Sequence, residues 1–129
     1  MTGPRYVVRG AYIQCQCGTH KRHINLPNSH GSYVNEKPMM NEEDYKPDNI
    51  SHFGICISPL NQSGETIYLI SESGETISGK PCLPSILAKW THSKETTKVA
   101  GKPALTTDSE LHCELQGVIK FLNDGQHDN

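Results

Sequence analysis

An all-β fold is what this chain predicts, and three observations carry the prediction. Apolar residues alternate near the start, turn residues recur at short intervals, and helix signals are weak. Eight prolines and eleven glycines interrupt almost every stretch long enough for three helical turns. From Val7 to Cys17 the residues Ala11, Ile13, Cys15 and Cys17 fall on one face, with Tyr12, Gln14 and Gln16 on the other, as expected of a strand with one face buried. Gly117 to Leu122 predicts a closing strand, ended by the turn residues Asn123-Asp124-Gly125, and the polar tail from Gln126 to Asn129 is expected to fray.

Two local repeats fill in the middle. Ser63-Gly64-Glu65-Thr66-Ile67 recurs as Ser73-Gly74-Glu75-Thr76-Ile77, with Tyr68-Leu69-Ile70 between them. This predicts a hairpin or meander inserted between Cys56 and Cys82. A Lys-Pro turn occurs three times, as Val34-Asn35-Glu36-Lys37-Pro38, Ile77-Ser78-Gly79-Lys80-Pro81 and Val99-Ala100-Gly101-Lys102-Pro103. In each, a β-branched residue precedes two turn formers, and the proline follows where no ladder N–H is needed, so three similar hairpins are expected. The one helix-like piece is Pro84 to Trp90, a turn or two. A sandwich, a small barrel and a stack of hairpins all satisfy the pattern.

The 129 residues make one domain, 1–129, with a core at about 7–126. On the usual footing, which counts Gly and omits Tyr, the apolar fraction is about 39% against about 45–50% for ordinary globular chains. So lean a core calls for a metal, disulfides or a partner subunit. The formal net charge of −2, with both signs mixed along the chain, argues against a nucleic-acid binder, which would carry a basic stripe. The start carries no long apolar run after its basic residues, and no segment reaches the roughly 20 apolar residues of a membrane span. Synthesis and folding in the cytoplasm are therefore expected, where thiols stay reduced and a set of cysteines reads first as metal-binding or catalytic.

Cysteine supplies the candidate chemistry. Cys15, Cys56, Cys82 and Cys113 come from four separate segments, and Cys17 lies on the same predicted face as Cys15. Thiolate and imidazole are the usual donors to tetrahedral zinc, and an ion held by four such segments would clip them together. No zinc-finger or ribbon spacing is present, so Cys17 and His52, four residues before Cys56, remain alternative ligands. His112 directly precedes Cys113 and would face the opposite way on a strand. His20, His23, His30, His92 and His127 are expected in exposed loops. Glu42-Glu43-Asp44 is expected to be a solvated loop, since the EF-hand pattern is missing. A cysteine–histidine nucleophile could be drawn from Cys56 with His52, or from Cys113 with a distant histidine, but no flanking signature or third orienting residue supports either. Gly79-Lys80-Pro81 lacks the spacing of a phosphate-binding loop. The expectation is that the chain is not an enzyme.

An ordered set of short motifs then becomes visible. Val7-Val8-Arg9-Gly10-Ala11 leads to Gln14-Cys15-x-Cys17-Gly18, followed by Asp44-x-x-Pro47-x-Asn49-Ile50. Phe53-Gly54-x-Cys56-x-Ser58-Pro59-x-Asn61 comes next, and then Pro81-Cys82-x-Pro84 with Trp90. Pro103-Ala104-Leu105-Thr106-x-x-Ser109-x-Leu111-x-Cys113, Gly117-Val118-Ile119 and Gly125-Gln126 complete the set. In this order, from about Val7 to Gln126, the chain resembles the PAAR-like spike-tip family. The resemblance implies a small all-β cone of short hairpins, approximately threefold, seated as a monomer on the trimeric spike protein of a contractile, phage-tail-like or type VI-like injection system. It implies a tip that sharpens the spike for puncture of a target membrane and can dock effector or toxin cargo. Such a protein is made in the cytoplasm, built into the particle and delivered outside or into a target cell. By position it also implies a zinc held near the apex by Cys15, Cys56, Cys82 and Cys113. Two departures, Tyr45 where histidine is common and His52 where proline is common, keep Cys17 and His52 in play. A free-standing zinc-binding regulatory protein is the alternative from another class, followed by a cysteine hydrolase.

Overall fold

The chain's two ends meet in one sheet. The computed structural model describes residues 4–50, 53–58, 65–82, 86, 88–114 and 117–126. Strand β1 (Tyr12–Cys15) lies between β2 (Arg22–His23) and β10 (Val118–Phe121), and β9 (Glu110–His112) closes the far edge, giving the antiparallel order β2-β1-β10-β9. The register sets Ile13 opposite Phe121, Cys15 opposite Ile119 and Ile119 opposite Leu111. Because same-face residues recur every second position, these five side chains form one buried face. On the other face, the Tyr12 and His23 rings stack 4.0 Å apart and the Lys21 ammonium sits 4.6 Å from the Tyr12 ring centroid.

Three two-stranded hairpins complete the ladders: β3 (Tyr33–Val34) with β4 (Lys37–Pro38), β5 (Ile67–Ile70) with β6 (Thr76–Gly79), and β7 (Lys94–Val99) with β8 (Lys102–Ala104). The fold is all-β, as expected. Among the described residues there is no helix, and so none long and apolar enough to cross a membrane. Of the expected helix-like piece, Ile86 instead bridges to Cys113 and 88–90 are not helical. Residues 83–85 and 87 lie outside the described residues.

Two of the three Lys-Pro turns are the expected hairpins. Val34 pairs with Lys37 across Asn35 (φ 52°) and Glu36 (φ 66°), and Val99 pairs with Lys102 across Ala100 (φ 53°) and Gly101 (φ 83°). Two successive positive φ values define the type I′ turn, whose twist matches that of the flanking strands. The third is not a hairpin turn. Ile77–Gly79 lies inside β6, and Pro81 forms a bridge with Ile55. Packing decides this, since a Cβ at Gly79 would stand 2.6 Å from the Ile55 side chain. The turn falls earlier, in the second Ser-Gly-Glu repeat. There Ser71 N–H donates to Glu75 O at 2.7 Å, and Gly74 takes φ +95°. Left-handed backbone costs a non-glycine residue roughly 1–2 kcal/mol, so Glu36→Gly is expected to stabilise the protein by about 0.5–1 kcal/mol. Chemical denaturation, with an unchanged slope and a raised midpoint, checks this.

The main core gathers Val7, Ile13, Ile24, Met40, Phe53, Trp90, Leu105, Leu111 and Ile119, all at most 1% exposed. Trp90 stacks on Phe121 with ring centroids 4.8 Å apart, and its indole N–H donates to Asp44 O at 3.0 Å. A second, smaller cluster of Val8, Met39, Val99 and Ala104 joins hairpin β3–β4 to hairpin β7–β8. Asn41 reinforces it by donating from Nδ2 to Val99 O at 3.0 Å.

The acidic run corrects the sequence reading. Glu42 and Asp44 are buried, at 8% and 6% exposure. A buried carboxylate must be satisfied, and each of these is. Asp44 accepts from Asn41 N–H at 2.8 Å and from His30 Nε2 at 3.0 Å, and Glu42 pairs with Lys89 at 2.8 Å. His30 is accordingly half-buried rather than an exposed loop histidine, as is His20, whose Nε2 meets Ile70 O at 2.8 Å.

Candidate metal centre

Backbone pairing alone carries the cysteines toward one another. Cys15 ends β1 with its side chain buried, and the chain then turns tightly, with Gly18 N–H donating to Cys15 O at 3.0 Å. This turn brings Cys17 back beside Cys15. Segment 53–57 runs antiparallel to 17–19: Gly18 bridges Cys56, Thr19 N–H donates to Phe53 O at 2.9 Å, and Ile57 N–H donates to Cys17 O at 2.8 Å. Segment 80–82 lines up on its other side, with Cys56 N–H donating to Lys80 O at 3.0 Å and Cys82 N–H to Gly54 O at 2.7 Å. Cys113 closes the turn before β10 by donating from its N–H to Gly117 O at 2.9 Å.

Two glycines make this close approach possible. Gly54 holds φ +75°, which an L side chain rarely adopts, and a Cβ there would collide with the His20 ring. At Gly117 a Cβ would run into the Cys15 sulfur and stand 3.6 Å from the Cys17 sulfur. The role of Gly117 as a wall of the cysteine site was not anticipated. Its one signal in the chain is a glycine four residues after Cys113 that opens the last strand.

All five cysteines are thiols, not disulfides. Cys15, Cys56, Cys82 and Cys113 are at most 8% exposed, and Cys17 is half-buried. The Cys82 side chain hydrogen-bonds the Cys15 sulfur, which draws the Cys15 thiol down to about 6 against the opposing effect of burial. The same hydrogen bond, helped by burial, pushes the Cys82 thiol up. The one hydrogen bond thus favours the thiolate form at Cys15 and the thiol form at Cys82. Burial raises the Cys17 thiol first, and negative charge on Cys15, Cys56 and Cys113 raises it further.

This donor set is chemically that of a zinc site, with four buried soft sulfurs from four segments. As the side chains stand, however, no group of three or more His, Cys, Asp or Glu among the described residues is arranged to hold a metal ion. Cys15 and Cys82 are instead joined by a hydrogen bond between their side chains. The expected alternative ligand His52 lies outside the described residues, and with it the Cys56–His52 nucleophile pair. His112 is exposed while Cys113 is buried, the opposite facing that strand geometry requires. The sulfur with most thiolate character, Cys15, is 3% exposed. It is poorly placed to meet a substrate, since reactive cysteines are partly open to solvent.

No curated protein and no solved structure matches the chain. Residues 7–126 match the family described as Domain of unknown function (DUF4280), a span that takes in every cysteine and every strand, and the chain belongs to that family.

Proposed function

We propose that this protein is a structural tip that caps the trimeric spike of a contractile injection system, sharpens it for membrane puncture and gives effector cargo a place to dock. The observation that carries the reading is the burial of Cys15, Cys56, Cys82 and Cys113, which four separate segments bring into a lean β core or against it. A part driven through a membrane must resist deformation, and short hairpins with little apolar filling resist it poorly unless something ties them together. Zinc held by those four cysteines would supply that tie. Cys17 stands as the spare thiol, half-buried beside the site. The ordered motifs from Val7 to Gln126 support the same reading, as do the short hairpins expected of a compact cone.

Co-assembly tests it. Expressed with the tube, sheath and spike proteins of one such system, the chain is expected to sediment with the assembled particle at about one copy per spike trimer. A chain that stays monomeric and performs its role without those proteins would sink the reading and favour a free-standing metal-binding regulator.

A further inference from the structure

Hairpin β5–β6 presents an apolar face that no described residue covers. Tyr68 is 74% and Ile70 61% exposed. Two residues apart on one strand, they point the same way, while Ile67 and Leu69 alternate with them and are half-buried. Their cross-strand partners are Ser78 and Thr76, both exposed. No residue of either strand is fully buried, and the two strands form a sheet by themselves. A lone two-stranded hairpin is marginal in water. This one is moored to the body by His20 Nε2 at Ile70 O (2.8 Å), Lys21 N–H donating to Glu72 (3.1 Å), and the packing of Gly79 on Ile55.

Charge indicates what could cover it. Residues 65–79 hold Glu65, Glu72 and Glu75 and no lysine, arginine or histidine, and all three glutamates are exposed. Of the neighbouring cations, the Lys21 ammonium is engaged over the Tyr12 ring and Lys80 lies at the base. A second copy of the chain would bring three carboxylates against three, which like-charge repulsion disfavours. We propose that the outer face of β5–β6 docks a partner protein through a segment that is aliphatic at its centre and basic at its rim. Tyr68 and Ile70 would contact the aliphatic centre, and the glutamates would pair with the rim. This holds whether or not the chain is a spike tip, because it draws only on the hairpin.

The test uses the full chain, isotopically labelled for NMR, and a blocked heptapeptide that alternates lysine with valine. Its counterpart with glutamate at the lysine positions is the control. The lysine peptide is expected to shift resonances within 65–79, with affinity falling severalfold as salt rises from about 50 to 300 mM. Tyr68→Ser combined with Ile70→Thr is expected to weaken binding at least about tenfold, leaving resonances outside the hairpin in place. Should that variant unfold the hairpin, Glu65→Gln with Glu75→Gln keeps the apolar pair and is expected to abolish most of the salt dependence. Equal binding of the glutamate peptide, shifts mapping elsewhere, no shifts at all, or self-association that the Tyr68/Ile70 variant abolishes would each overturn the proposal.

Discussion

Cys82→Ser is expected to purify without metal and to lose cooperative unfolding near ambient temperature, whereas Cys17→Ser keeps about one zinc per chain and unfolds like the parent. The contrast follows from where the two thiols sit. Cys82 is 2% exposed and hydrogen-bonded to the Cys15 sulfur, so its loss removes one of the four proposed ligands and takes from Cys15 its buried hydrogen-bond partner. Cys17 stands beside the site, half-buried. Structural zinc is worth on the order of 10 kcal/mol in metal-folded domains, which is comparable to the whole stability of a domain, about 5–15 kcal/mol. Even a third of that would move the midpoint by about 10 °C or more. Elemental analysis of the purified variants, followed by thermal unfolding with and without a chelator, reads both quantities. Zinc retained by Cys82→Ser, or lost by Cys17→Ser, would overturn the four-cysteine assignment. Metal-free parent protein with an unchanged midpoint would remove the site altogether.

Trp90→Ala is expected to cost about 3–5 kcal/mol, a fall of about 10–20 °C in thermal midpoint for a domain of this size. Trp90 is 1% exposed, stacks on Phe121 and donates to Asp44 O. Truncation therefore opens a cavity and leaves a carbonyl short of its donor. That carbonyl belongs to the residue whose carboxylate organises Asn41 and His30, so the damage spreads into the loop before it. Trp90→Phe keeps an aromatic ring against Phe121 but loses the N–H and the second ring's area, and is expected to cost less than the alanine, about 1–3 kcal/mol. Circular dichroism melts of the two variants separate the packing from the hydrogen bond. Equal losses would mean that the stack contributes nothing.

How legible the molecule was depends on whether a feature is local. The first and last strands could be read from alternation, because a sheet with one buried face imposes that pattern on neighbouring residues. Turns at Asn35-Glu36 and Ala100-Gly101 could be read because Asn35 and Gly101 are types that left-handed backbone selects, even though Glu36 and Ala100 are not. Gly79 used the same vocabulary for another purpose, close contact with Ile55, which no local rule distinguishes from a turn. The burial of Glu42 and Asp44 was hidden for a related reason: their partners Lys89 and His30 lie 47 and 14 residues away. The inward facing of Cys15 was legible from alternation, and so was the opposite facing of His112 and Cys113. The hydrogen bond between Cys82 and Cys15 was not, since the two meet only through the intervening pairing of segment 53–57.

The ladder that sets Cys15 opposite Ile119 also has a consequence in time. Contacts between distant parts of a chain are slow to form, and a ribosome releases residues in order, at about 5–20 per second. The strand that ends at Cys15 therefore waits, with its main neighbour missing, until Val118–Phe121 has emerged about a hundred residues later. For several seconds of every synthesis the sulfurs at 15, 17, 56 and 82 are tethered to an unfinished sheet, open to oxidants and to passing metal ions. A metal ion at the proposed site would have to be bound after that last strand has paired.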